Sequence, residues 1–186
     1  MNKYSNKLIK NFPDYLFNKI NEQKLNLRQA GEDVIDLGYG NPDIPSHELV
    51  VEKLIESSQI KKNHKYSVSK GIHGLRNAIS KKYLREYGIN IDPAKNIVNT
   101  IGSKEGLTHL LMSVIDKGDN VIVQDPSYPI HHYAPLIAGA NVIKIKCLSA
   151  DGFMQDLKTS LVNEKVKVVL ISFPHNPTTL TVNQEF

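Results

Sequence analysis

The chain has 186 residues, of which 40% are hydrophobic and 23% charged, a composition that suits a globular chain with a core and excludes a low-complexity or disordered one. The formal net charge of +4 comes from 23 Lys and Arg interspersed with 19 Asp and Glu, so no charged block singles out a nucleic-acid or membrane partner. A single cysteine, Cys147, excludes an internal disulfide framework and a cysteine-based zinc site, and without a signal-type segment or a run long enough to span a bilayer the default expectation is a cytoplasmic location.

Apolar residues at Leu16, Phe17, Ile20 and Leu27, with Pro13 before them and Gly31 after, predict a helix over 14–30. "VIDLG" predicts a strand over 34–38, and "YGNPDIP" is a breaker loop. A second helix is expected over 47–58. The basic run Lys61-Lys62-Asn63-His64-Lys65 lacks interleaved aromatics and reads as a solvated loop. Ile72, Leu75, Ile79 and Tyr83 then recur at helical spacing over 72–87, closed by Gly88.

From there short apolar runs alternate with helical segments. Strands are expected over 96–101, 120–125, 141–147 and 166–173, with helices over 104–115, 129–138 and 155–164. This alternation predicts an α/β fold with a mainly parallel sheet and helices on both faces. Cys147 closes the alternating run "NVIKIKC" and reads as a buried strand thiol. In "TLTVNQEF", Thr181 or Asn183 is placed to cap a further helix, which suggests an interrupted larger domain.

Ligands of open α/β sheets bind at the carboxyl ends of the strands, so the informative loops are "GYGNPD", "GSKEG", "DPSYP" and "SFPHNPTT". In the second, Gly102 permits a sharp turn, Ser103 serves as N-cap or donor and Lys104 adds a positive charge, so the start of the helix suits a phosphate. An ordinary capped helix accounts for the same residues, and the spacing matches neither a P-loop nor a dinucleotide fingerprint. Two prolines hold Tyr128, either as a stacking surface for a planar ligand or as a packing ring. Asn176 offers its amide to something polar or makes an Asn-Pro turn, and His175 reads as a loop residue and not a base. The 7 histidines, adjacent His131 and His132 included, show no metal-ligand spacing. Together the loops outline a site for a phosphorylated aromatic cofactor.

Five motifs carry a resemblance that gathers these residues: "GEDVIDLGYGNPDIP", "KYSVSKGIHGLRNAIS", "TIGSKEGLTHLL", "GDNVIVQDPSYPIHHYAPLIAGA" and "ISFPHNPTT". In this order they resemble the N-terminal part of a class I/II, fold-type I, pyridoxal-5′-phosphate-dependent aminotransferase, over residues 12–186, in the branch of alanine and LL-diaminopimelate aminotransferases. The resemblance implies an incomplete large domain, with an N-terminal arm, helix and start of the small-domain region over 1–45 and the cofactor-binding portion over 46–186. It implies that Ser103 and Lys104 bind the cofactor phosphate, that Tyr128 stacks on the pyridine ring, and that Asn176 bonds the ring's phenolic oxygen beside the substrate. Tyr66 would reach the phosphate of the neighbouring subunit's cofactor in a homodimer, and Tyr15 and Gly40 would line the substrate pocket. Thr179 departs from the commoner glycine or alanine.

No position of this chain matches the family's Schiff-base lysine, its pyridinium-pairing aspartate or its substrate-clamping arginine, so no catalytic residue is assigned. Lys104 is not a substitute, because it opens a helix at the phosphate end of the cofactor. The expected activity of the parent protein is amino transfer between an amino acid, alanine, and a 2-oxo acid, 2-oxoglutarate, with the 186-residue chain inactive alone. A diaminopimelate-type substrate and a non-catalytic cofactor-binding or dimerising role are the alternatives. A nucleotide-binding α/β domain is disfavoured by the absent glycine fingerprints.

Overall fold

The computed structural model describes residues 8, 12, 16–38, 40 and 42–186. They fall into two compact units, one built on Ser69–Phe186 and the other within Pro13–Val68.

In the Pro13–Val68 unit, helix α1 spans Leu16–Gln29 and helix α2 spans Glu48–Gln59. Helix α1 is closed at Gly31, whose φ of +86° is a left-handed conformation glycine adopts without strain. The following chain folds back: Lys24 Nζ donates to Asp36 Oδ2 at 2.7 Å, and the Gly38 N–H donates to Asp36 Oδ1 at 2.9 Å. These bonds, the one to Lys24 foremost, hold the Asp36 carboxyl below the usual carboxylate range. The strand expected over 34–38 does not form. A strand requires a backbone partner, and none is provided among the described residues; Ile35 and Leu37 stand exposed. Helix α2 starts one residue later than expected because His47 is its cap, with Nδ1 accepting from the Leu49 N–H at 3.2 Å. The basic run after it makes a short 3-10 turn over Lys61–Asn63 with every residue exposed, as a solvated segment should.

The Ser69–Phe186 unit holds the sheet. Helix α3 covers His73–Tyr87, α4 Ser103–Val114, α5 Pro129–Ile137 and α6 Ala150–Asn163; strand β1 covers Asn120–Asp125, β2 Asn141–Lys146 and β3 Val166–Leu170. The three strands lie in the order β2-β1-β3 and are all parallel. Val121, Ile122, Val123 and Gln124 of the central strand are all buried, because a central parallel strand is covered on both faces. Side chains alternate across it. Val121 and Val123 join Leu111 and Ile115 of the α4 region and Ala134 of α5 in one cluster, while Ile122 joins Ile145, Cys147, Phe153 and Leu157 in the other. Cys147 is fully buried, and burial pushes its thiol pKa up.

Four expectations in this unit are corrected. Residues 96–101 form no strand: no described residue pairs with them in a ladder, and the Asn99 N–H donates instead to Lys70 O at 3.1 Å. Strand β3 stops at Leu170, short of 173, because the Ser172 N–H leaves the ladder for a side chain, Gln124 Oε1, at 2.8 Å. Helix α6 begins at Ala150, ahead of 155, since Ser149 caps it by accepting from the Gly152 N–H at 3.2 Å. A Cβ at Gly152 would sit 2.8 Å from Ser149 Oγ, so a glycine there makes room for the cap. No helix starts at Thr181 or Asn183; Asn183 Oδ1 accepts from the Phe186 N–H at 3.1 Å in a turn.

Candidate functional site

The start of α4 is a built turn. Its cap is Gly102, at φ +91° and ψ 155°, not Ser103, which is the first helical residue. A side chain at Gly102 would be strained, and a glycine cap brings no oxygen to the first N–H groups of the helix. These groups, the positive end of the helix dipole, therefore have no side-chain cap. Behind them Glu105 turns its carboxylate back onto the Ile101 N–H, and Thr100 Oγ1 donates to Gly102 O at 3.1 Å. A Cβ at Gly106 would meet Thr100 Oγ1 at 3.0 Å, so this glycine keeps space for the threonine that braces the turn. Ser103 and Lys104 are exposed in front of it.

Tyr128 comes to the same place from the loop after β1. It is the residue before Pro129 at the start of α5, with extended φ and ψ of −60° and 130°. Lys104 Nζ lies 5.1 Å from the centroid of its ring, within cation–π range. The His131 ring meets Tyr128 edge-on at 6.0 Å between centroids. Burial, and then the charge of nearby His175, hold the His131 imidazole below the ordinary histidine range. His132 is likewise lowered, chiefly by burial and then by Lys144.

The loop after β3 is rigid by internal bonding. The Thr179 N–H donates to His175 O at 2.7 Å, the His175 N–H donates to Leu180 O at 2.8 Å, and His175 Nδ1 lies 2.7 Å from Thr178 Oγ1. His175 is a loop residue, as expected, but it is 3% exposed and its Nε2 has no partner among the described residues. Asn176 beside it is exposed. Thr179 has φ +61°, a left-handed value unfavourable for a β-branched residue.

Ser103, Lys104 and Tyr128 are thus gathered at one end of the sheet. Gly40 and Tyr66 belong to the Pro13–Val68 unit, where both are exposed, and Tyr15 lies outside the described residues. Among the described residues no group of three His, Cys, Asp or Glu is placed to hold a metal ion, and no helix is long and apolar enough to cross a membrane. Sequence reasoning passed over Glu105, Thr100 and, above all, Gln124, whose signal was a lone amide in the apolar run "VIVQD".

The sequence model of a family described as aminotransferase class I and II matches residues 32–186. The chain belongs to this family. As an aminotransferase-family chain it is 43% identical over 180 residues to the glutamate-pyruvate aminotransferase AlaC of Escherichia coli (strain K12), an alignment covering 96% of this chain and 44% of that protein. It is 36% identical to the LL-diaminopimelate aminotransferase of Moorella thermoacetica, with 96% and 46% covered. The aspartate aminotransferase of Thermotoga maritima superposes with a TM-score of 0.86 at 32% identity, over 97% of this chain and 48% of that one. The fold is that of the fold-type I aminotransferases, and the chain spans about half the length of the curated relatives it matches. The family generally uses pyridoxal phosphate.

The donor set can be tested against such a group. A phosphate requires N–H groups and positive charge, and the start of α4 offers both without a competing cap. A pyridine ring requires an aromatic face, and Tyr128 provides one beside Lys104. The residues fit.

Proposed function

We propose that this site binds pyridoxal 5′-phosphate and that the protein to which the chain belongs transfers amino groups between an amino acid and a 2-oxo acid. The observation that carries the reading is Lys104 Nζ over the Tyr128 ring at the helix start capped by Gly102. The first N–H groups of α4, the Ser103 hydroxyl and the Lys104 ammonium bind the phosphate. Tyr128 supports one face of the ring, and Asn176 donates its amide to the ring oxygen and orients the substrate beside it. Gly40 gives backbone to the substrate carboxylate, Tyr15 lines the pocket from the N-terminal arm, and Tyr66 serves the cofactor of a neighbouring subunit in a homodimer. The bound group supplies an aldehyde that takes up the amine and an electron-withdrawing ring that acidifies the adjacent carbon.

Alanine with 2-oxoglutarate is the substrate pair, a reading supported by the 43% identity to a relative named for glutamate and pyruvate. A diaminopimelate-type donor is the second reading, supported by the 36% identity to LL-diaminopimelate aminotransferases. The 186 residues contain no match to the family's cofactor-linking lysine, so the chain alone is expected to bind without turnover. Pyridoxamine 5′-phosphate, which cannot react with surface lysines, is the probe for calorimetric titration. Saturable binding is expected, and Lys104→Ala should weaken it by about tenfold through loss of a charge-assisted contact. No saturable binding, or an unchanged affinity in Lys104→Ala, would sink the assignment of the phosphate site.

A further inference from the structure

Gln124 is the polar exception inside the central strand. It follows three buried apolar residues and is itself 2% exposed, and a buried amide needs partners. It has them on two other elements. Nε2 donates to Cys147 Sγ at 3.1 Å, and Oε1 accepts from the Ser172 N–H at 2.8 Å. Cys147 directly follows β2, and its own N–H donates to Asp125 O at 2.9 Å; Ser172 follows β3. One side chain therefore fastens the carboxyl ends of all three strands at the level where the loops leave the sheet. Gln124 stands four residues ahead of Tyr128, and Ser172 four ahead of Asn176.

We propose that Gln124 is a positioning residue, which sets where the Asn176 loop stands relative to Tyr128 and so preshapes the cofactor site. The proposal rests on the pyridoxal-phosphate reading for its ligand. Beyond Ser172 the loop is tied to itself through His175, Thr178, Thr179 and Leu180, so it moves as a unit whose attachment to the sheet is the Ser172 N–H. Packing of Phe173 against Phe153 and Phe186 also holds the segment, but ring contacts are non-directional and tolerate sliding, whereas a hydrogen bond fixes a position. An apolar residue in place of Gln124 leaves the Ser172 N–H without its acceptor, and the loop is then free to turn toward water.

The test is deuterium exchange by mass spectrometry on the full chain, alongside titration with pyridoxamine 5′-phosphate. Gln124→Met keeps the length and removes both bonds; Cys147→Ser keeps an acceptor for Nε2. In Gln124→Met, exchange over 171–176 should accelerate by about tenfold while 120–123 is unchanged, and the Kd for the probe should rise by about tenfold. Cys147→Ser should stay near the wild type in both. Unchanged exchange over 171–176, or equal acceleration over 120–123, would overturn the proposal, the latter marking general destabilisation. Should Gln124→Met fail to fold, Cys147→Ala must show a smaller acceleration over the same residues, and its absence would equally overturn it. A wild-type chain that does not bind the probe refutes the cofactor reading, while the exchange contrast still decides whether Gln124 sets the loop.

Discussion

The Ser69–Phe186 unit encloses two apolar clusters around a central strand, whereas no described residue between 16 and 68 is buried. Helix α2 leaves Leu49, Val50, Leu54 and Ile55 exposed, so its apolar side chains are available to contacts that its own unit does not provide. A site can be preformed where the elements that carry it pack on a core. Lys104 and Tyr128 sit on elements that pack on the sheet and stand in place without help, while Gly40 and Tyr66 sit on a unit in which no described residue is buried enough to hold them rigid.

The largest expected effect tests that contrast in stability. Phe153→Ala removes a fully buried ring and should cost the sheet unit about 3–5 kcal/mol in denaturant unfolding. Leu54→Ala, at a position 69% exposed, should change stability by no more than about 0.5 kcal/mol. Similar costs for the two would erase the distinction between a cored and an uncored unit.

A smaller effect lies within the sheet unit, at its one non-glycine residue with a positive φ among those described. Thr179→Gly removes a β-branched side chain at φ +61° and should stabilise by about 1 kcal/mol, the relief of strain exceeding the entropy glycine loses on folding. A lower melting temperature in calorimetry would show that the Thr179 side chain contributes more than its backbone costs.

The smallest effect separates the units by pH. His131 and His132 have lowered folded pKa values, chiefly through burial, so the unfolded chain binds their protons first. Their contribution is present above the ordinary histidine pKa of about 6.5 and is lost as pH falls below it through the lowered folded values. Asp36 is lowered by Lys24, so its contribution is present above the ordinary carboxylate pKa and is lost only in stronger acid, below about 4. Protection factors, which divide out the intrinsic slowing of amide exchange in acid, should fall first in the sheet unit around His131 and last around Asp36 as pH is lowered from neutral. The reverse order would contradict the burial of the histidines.

Much of the architecture was legible because it depends on local pattern. Every helix but α6 was placed to within two residues by its apolar spacing and its stops, and the strands at 120–125 and 141–146 by continuous or alternating apolar runs between turn residues. The two missing strands share one cause. The runs at 34–38 and 96–101 have strand composition, but a strand exists through a partner that composition does not name, and among the described residues neither run has one. Helix α6 started early because Gly152, a breaker by type, accommodates the Ser149 cap.

For the candidate site the division is similar. Sequence alone determined that Gly102, Ser103 and Lys104 open a helix and that prolines flank Tyr128 and Asn176, since each follows from residue type and spacing along a few positions. Only the tertiary structure decided that Gly102 and not Ser103 is the cap, that Lys104 stands over Tyr128, and that Gln124 joins Cys147 and Ser172. Those contacts link residues 24 and 48 positions apart in the two longest cases, Lys104 to Tyr128 and Gln124 to Ser172, and it is the parallel sheet, by setting its strand ends side by side, that turns such separations into contact.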